Sequence, residues 1–410
     1  MRKGYCITSD ETPDLFVGLR FREGVPEVVF PHGFALSDDP KECRKDVFRL
    51  IAVLKKFTEH TDGNKTNDKK NLLARLPLAS YQYIIQDFLQ HGYYTEKEVR
   101  YVQSLKGKIN WKRTIQQEQP QLDDGNIVYL NFQVKTNQIN DNNLISKIHQ
   151  YCVYQSFFRF GWLYLTSAFL PQEPTFKVDT KLFISVLKRA LGNTFNDSKR
   201  MLFQSMINIL SEDDEEIDIK NMSLGVNHFE TIWERLIDFV FGEENKDKYF
   251  PHATWHIIKN DRVEQSSALE PDTIMKHDGA IYVLDAKYYQ YGITGYPGDL
   301  PNTSSIQKQI TYGKHIAEQL REVPVERVYN AFIMPFDGRG GASYKFVSVG
   351  TADWETYTPQ TMNYAYVLGI LLDTKWLLSE YSRHNSNEIE RLADLIETSL
   401  RVYRKEADVK

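Results

Sequence analysis

Cysteine is scarce. Cys6, Cys43 and Cys152 are the only three in 410 residues and fall without metal-ligand spacing, which argues against zinc and fits a reducing cytoplasm. No basic leader followed by an apolar stretch opens the chain, so no signal peptide is expected. Long apolar runs are missing too. The most apolar region, 156–170, is short and is interrupted by Arg159, which predicts a buried helix instead of a membrane span. There is no excess of basic charge: the formal balance is −5, so any nucleic-acid contact has to come from locally clustered Lys and Arg. No Walker motif occurs. The Gly-rich stretch Pro335-Phe336-Asp337-Gly338-Arg339-Gly340-Gly341 lacks the Lys-Ser/Thr of a phosphate loop and precedes no helix, so nucleotide binding there is discounted. Internal repeats and low-complexity tracts are also absent. What is present is ordinary for a soluble globular protein, 41% hydrophobic and 26% charged, in a chain long enough for two or three domains.

The pattern along the chain is α/β. Residues 15–19 and 25–30 read as strands of a hairpin around Arg22-Glu23-Gly24. Asp38-Asp39-Pro40 starts a helix to about residue 59, with Val47, Phe48, Leu50, Ile51 and Leu54 as its inner face. A polar exposed loop is expected at 61–68, and a helix over 80–90 that stops at Gly92. Thr95-Glu96-Lys97-Glu98 reads as a capping box opening a third helix. Next, Lys106, Lys108, Lys112 and Arg113 are interleaved with Trp111, as one arm of a hairpin whose other arm is 127–134. This arm is either a phosphate-contacting ribbon or partner-binding edge, or simply a solvated amphipathic strand. Helices follow over 143–170, with an aromatic stripe read as core, and over 180–191 and 198–210. The acidic run Ser211-Glu212-Asp213-Asp214-Glu215-Glu216 reads as a linker. The expected division is therefore 1–215, an α+β region, and 216–410. In the second part, a helix is expected over 304–322, strands over 328–334 and 344–349, and closing helices over 359–381 and 387–404.

The second part carries the chemistry. Phe229, Ile232, Trp233, Leu236, Ile237 and Val240 have the spacing of one buried helix face, and Glu230 and Glu234 share a side one turn apart. Pro271-Asp272 is followed by Ile281-Tyr282-Val283-Leu284-Asp285-Ala286-Lys287, a strand on which Asp285 and Lys287 point to one face. Asp-X-Lys alone is common, and a surface ion pair would also explain it; the order of acidic helix, Pro-Asp and apolar strand raises the signal. This order resembles the PD-(D/E)XK nuclease superfamily. The resemblance implies Mg²⁺, with Mn²⁺ able to substitute, held by Asp272, Asp285, the Ala286 carbonyl and Glu234. Lys287 would then lie beside the attacking water or the phosphorus. Of the two helix acids, Glu234 is favoured over Glu230.

The likeness extends further. Phe16-Val17-Gly18-Leu19, Phe30-Pro31-His32-Gly33-Phe34, Gly107 to Thr114, Phe229 to Glu234, Pro271-Asp272 and Leu284-Asp285-Ala286-Lys287-Tyr288-Tyr289 resemble the LlaJI family of restriction endonucleases, related to the nuclease subunit of McrBC-type systems. The resemblance implies a C-terminal nuclease domain cutting double-stranded DNA, an N-terminal region for partner docking, DNA contact or both, and a McrB-like AAA+ GTPase as partner. A helix after the Asp-X-Lys strand often carries Gln or Tyr near the phosphates in such nucleases; here Lys308, Gln309 and Tyr312 are the candidates. The Gln usually found four residues before Tyr is replaced by Lys308. A repair nuclease of the same fold, or a DNA-binding adaptor without catalysis, are the competing readings.

Overall fold

The computed structural model describes residues 5–12, 15–22, 25–58, 77–123, 126–140, 143–165, 169–213, 223–259, 261–320, 322–338, 345–353 and 362–407. The expected polar loop at 61–68, residues 214–216 of the acidic run and Arg339-Gly340-Gly341 lie outside them.

In chain order, β1 (Cys6–Thr8), β2 (Val17–Arg22) and β3 (Val25–Phe30) precede helix α1 (Pro40–Thr58). Then come α2 (Leu78–His91), β4 (Glu96–Gln103), β5 (Lys108–Ile109), α3 (Trp111–Gln117), β6 (Gln121–Asp123), β7 (Asn126–Val128) and β8 (Gln133–Asn140). Helices α4 (Leu144–Tyr164), α5 (Thr180–Gly192) and α6 (Asp197–Asp213) follow. The remainder is β9 (Ser223–Val226), α7 (Phe229–Phe241), β10 (Thr254–Ile257), β11 (Arg262–Gln265), β12 (Thr273–His277) and β13 (Ala280–Ala286), then α8 (Tyr291–Thr294), α9 (Thr303–Lys314), β14 (Val328–Phe336), β15 (Phe346–Asp353), β16 (Tyr366–Asp373), α10 (Thr374–Ser379) and α11 (Ser386–Ala407).

These elements form two compact units, one of residues 1–75 with 219–410 and one of residues 76–218. The second boundary falls after residue 218. The first 75 residues, however, belong with the C-terminal part, because β2 pairs antiparallel with β9, Val17 opposite Val226. That ladder closes a four-stranded sheet ordered β1-β3-β2-β9, and a strand partner two hundred residues away has no local sequence signal.

The first unit is mixed α/β, built on a five-stranded sheet ordered β12-β13-β14-β16-β15. β12 and β13 are an antiparallel hairpin closed at His277 and Ala280 by Asp278-Gly279, both at positive φ (42° and 67°), the conformation that makes Asp-Gly a tight hairpin turn. β14 runs parallel to both β13 and β16, and β15 is antiparallel on the edge. β13 alternates faces as a strand must. Ile281 and Val283 join a core with Tyr249, Tyr312 and Ile316, whereas the Tyr282 hydroxyl donates to Glu397 of α11. The amphipathic face of α7 is buried at every position the spacing marks. In α1 the buried face is Val47, Leu50, Val53, Leu54 and Phe57, with Phe48 exposed.

Three elements differ from the sequence reading. Residues 359–381 do not form one helix: 366–373 is strand β16, between β14 and β15. Its run Val367-Leu368-Gly369-Ile370-Leu371-Leu372 is apolar on both faces, as a strand flanked on both sides requires, so periodicity cannot separate it from a buried helix. Glu96–Gln103 is strand β4, paired over eight residues with β8; that long ladder overrides the capping-box pattern. The basic arm is split. Only Lys108 and Ile109 pair with β8, and Asn110 then caps α3, its side chain accepting from the Arg113 N–H. Among the described residues no helix is long and apolar enough to cross a membrane.

Candidate active site

The end of β13 and the start of β12 bring the carboxylates together. Thr273 is opposite Leu284 in the hairpin register, so Asp272, one residue before, comes alongside Asp285 and Ala286. Asp272 Oδ2 accepts from the Ala286 N–H at 2.8 Å, and its own carbonyl accepts from Lys246 Nζ at 2.5 Å. Lys246 also pairs with Asp238 at 2.8 Å. Asp285 is 4% exposed and is paired with Lys287 Nζ at 2.5 Å. The Lys287 N–H continues the ladder onto the Ile333 carbonyl of β14 at 2.9 Å, and Trp233 Nε1 donates to that same carbonyl at 3.2 Å. Helix α7 is thus pinned to the sheet one turn after its start, which brings Glu234 to the site.

The electrostatics follow from this crowding. Burial, then the charges of Asp285 and Glu234, push the Asp272 carboxyl up to about 7 against the counter-pull of the Ala286 N–H and Lys287. Burial also raises Glu234, with Asp285 and Glu230 adding to it and Lys287 opposing. For Lys287, burial alone would pull the ammonium down, but the charge and hydrogen bond of Asp285 outweigh it and the net shift is upward. The site therefore holds three acids near one partly compensating lysine, a cluster short of positive charge. Glu230 instead lies 2.7 Å from His228 Nδ1. Both glutamates line a cavity of about 350 Å³ whose other walls include Ala286, Lys287, Tyr288 and Tyr289. Among the described residues no three His, Cys, Asp or Glu side chains form a group that could hold a metal ion as they stand. Asp272 and Asp285 remain a two-carboxylate pair beside the main chain of Ala286. Two carboxylates completed by water and phosphate oxygens are the usual donor set for Mg²⁺.

The helix after the strand divides its expected residues between two faces. Gln309 is 1% exposed, and its Nε2 donates to the Val283 carbonyl at 2.7 Å. Tyr312 is fully buried, its hydroxyl donating to the Glu270 carbonyl at 3.1 Å. Both hold the β13 framework and neither faces solvent, because an amphipathic helix on a sheet must bury one side. Lys308 is exposed, its ammonium 5.5 Å from the Tyr312 ring, and feels the charges of Asp285 and Asp272. The position where Gln was expected thus places a cation beside the acids. Lys106, Lys108, Trp111, Lys112 and Arg113 are exposed and belong to the 76–218 unit; Arg113 lies 4.1 Å above the Tyr101 ring, and Trp111 meets Phe132 edge-on at 5.6 Å.

Sequence reasoning assigned no role to Ser9, His32 and Tyr288, which line the same cavity. Ser9 carried no signal; that of His32 and Tyr288 was membership of Phe30-Pro31-His32-Gly33-Phe34 and Leu284-Asp285-Ala286-Lys287-Tyr288-Tyr289, two stretches with nothing in the sequence to join them.

A family model described as LlaJI restriction endonuclease matches residues 16–361. Among curated proteins, the Type II restriction enzyme BsuMI component YdjA of Bacillus subtilis (strain 168) is 24% identical, the match covering 85% of this chain and 81% of that protein. Among solved structures, a chain of a half-complex from the tetradecameric assembly of Thermococcus gammatolerans McrB AAA+ hexamers with bound McrC aligns at 12% identity. That alignment covers 93% of this chain and 82% of that one, with a TM-score of 0.31.

Proposed function

Since the chain belongs to the LlaJI restriction endonuclease family, we propose that it is the nuclease component of a restriction system. It would hydrolyse phosphodiester bonds in double-stranded DNA with the site at Asp272, Asp285 and Lys287, in a PD-(D/E)XK arrangement. The carrying observation is the juxtaposition of Asp272 with Asp285 and Ala286 at the end of β13, beside Lys287 and Glu234. Asp272, Asp285 and the Ala286 carbonyl would hold the cation, Mg²⁺ or in its place Mn²⁺. When bound, such an ion lowers the pKa of a water and offsets charge on the phosphate. Burial and the neighbouring carboxylate charges of Asp285 and Glu234, which lift Asp272 to about 7, are what such an ion would offset.

The other residues divide the remaining work. Lys287, held charged by Asp285, stabilises the negative charge that grows on the phosphate oxygens as water adds to phosphorus and the bond to a sugar oxygen breaks. Glu234, with its proton affinity raised, orients a water and takes its proton. Lys308 contacts a backbone phosphate of the bound DNA, and the exposed cations at 106–113 are candidates for further phosphate contacts.

An AAA+ GTPase is the proposed partner. The chain has no Walker motif of its own, and its B. subtilis relative is a component, one part of a restriction enzyme. A second reading is a component that does not cut, favoured by the B. subtilis relative being named as a component of a restriction enzyme and not as the whole enzyme. Plasmid cleavage in Mg²⁺, with and without the partner, separates the two. Cleavage that falls by about a thousandfold or more in Asp285→Ala supports the nuclease. DNA or partner binding with no cleavage by wild type under either condition supports the non-cutting component.

A further inference from the structure

We propose that the N-terminal segment is part of the active site: Asp10 and His32 lock Tyr288 and so position Lys287. The proposal rests on reading Lys287 as the cation of the site. Tyr288 follows Lys287 directly and is the residue through which β13's end leaves the sheet. Its ring sits in a slot between His32, 4.8 Å away, Phe229 at 5.4 Å and Trp233 at 5.9 Å. Its hydroxyl oxygen accepts the His32 N–H at 2.7 Å and lies within hydrogen-bonding reach of the Ser9 side chain.

His32 is itself held from three directions. Its Nδ1 lies 2.5 Å from Asp10 Oδ1 and 3.0 Å from Ser9 Oγ, and its carbonyl accepts from Thr374 Oγ1 at 2.9 Å. The other Asp10 oxygen accepts the Gly33 N–H at 3.1 Å. Gly33 is at φ 67°, and a Cβ there would lie 2.7–2.9 Å from the Phe336 backbone at the end of β14. The loop after β3 is therefore packed against the end of the sheet's central strand with no room to shift. A carboxylate bridging an imidazole and a backbone N–H is a rigid clamp, because charge-assisted bonds are short and directional.

The geometry gives this clamp a catalytic consequence. Lys287 has a long side chain held by the ion pair to Asp285, while its backbone is held by the bond to Ile333 of β14 and by the Tyr289 N–H, which donates to its carbonyl at 2.8 Å. The next anchor along the chain is Tyr288. Positioning of a cation within a few tenths of an ångström decides how much of its charge reaches the transition state. This arrangement also explains why Phe30-Pro31-His32-Gly33-Phe34 and Leu284-Asp285-Ala286-Lys287-Tyr288-Tyr289 occur in one chain: in space they form one clamp.

The test uses the full chain with Tyr288→Phe, which removes one oxygen, and Asp10→Ala, which removes the clamp. Amide hydrogen exchange reports on positioning without requiring that the protein cut DNA. The expected result is exchange about tenfold faster or more at residues 286–289 in both variants, with Tyr282 to Leu284 of β13 unchanged. If cleavage is measurable, kcat falls about 10- to 100-fold, KM for DNA stays within about twofold, and the double variant is no worse than the poorer single one. Unchanged exchange at 286–289, or a rise spread evenly over the five-stranded sheet, would overturn the proposal. Absence of cleavage in wild type with the local exchange effect present would count against the nuclease reading and leave the clamp standing.

Discussion

Asp272 is the residue at which stability and function pull in opposite directions. Its carboxyl is raised from the ordinary 3.8 to about 7, first by burial and then by the charges of Asp285 and Glu234. A carboxyl with a raised folded-state pKa contributes stability that is full below pH 3.8 and is lost as the pH climbs through 7. At pH 8 the ionised group is therefore a cost, tolerated only if something cationic is to be held there. Asp272→Asn keeps the acceptor for the Ala286 N–H and removes the charge. It should melt roughly 2–4 °C higher than wild type at pH 8, on the order of 1 kcal/mol, and show no difference at pH 4. Added Mg²⁺ should narrow or reverse that gap by stabilising wild type alone. Thermal melts over this pH range check both statements, and a variant less stable than wild type at pH 8 would contradict the charge argument. The grouping of Asp272, Asp285, Lys287 and Glu234 in space was legible in the sequence because helix and strand periodicity restrict spacing. Asp10 and His32 were not, because the bond that makes them relevant spans 256 residues, from His32 to Tyr288.

Among elements, legibility followed amphipathicity. Helix α7 buries one face and leaves Glu230 and Glu234 on the other, so a period of 3.6 is visible in its sequence. Strand β16 is buried on both faces and has no period to see, and it was read as helix for that reason. Helix α9 shows an intermediate case. Its register was readable, but which face met the sheet was not, and Gln309 turned inward while Lys308 stayed exposed. The two neighbours should therefore fail differently. Gln309→Ala removes a buried side chain and its bond to the Val283 carbonyl, and should cost about 1–3 kcal/mol in denaturant unfolding without altering the salt dependence of DNA binding. Lys308→Ala should leave unfolding within about 0.5 kcal/mol of wild type and lower the slope of log K against log salt by about one phosphate contact. An exchange of these two outcomes would place the helix the other way round.

At the scale of the whole molecule, the chain starts one unit, leaves it for residues 76–218, and returns to complete it. The inserted unit contains its own titratable weak point. His149 of α4 is fully buried, its Nδ1 accepting the Tyr94 N–H at 2.9 Å while Nε2 has no hydrogen-bond partner among the described residues. Burial lowers its pKa from 6.5 to about 4. For a base, a depressed folded-state value means that the folded unit prefers the neutral ring. The stability this contributes is complete above pH 6.5 and is lost as the pH falls through 4, on the order of 3 kcal/mol in full. Acid should therefore loosen the 76–218 unit in a way the other unit does not share through this group. His149→Gln retains an acceptor for Tyr94 and cannot titrate in this range. Hydrogen exchange of α4 should speed up between pH 6.5 and 4, after correction for intrinsic exchange, in wild type and not in His149→Gln. Strands β13 and β14 should respond alike in both proteins. If α4 is equally acid-sensitive in the variant, other groups govern the acid response, and the buried imidazole is only a packing residue. If the difference appears, the insertion can be destabilised by pH while the unit bearing Asp272 and Asp285 stays folded, and activity assays across that window would read the two units separately.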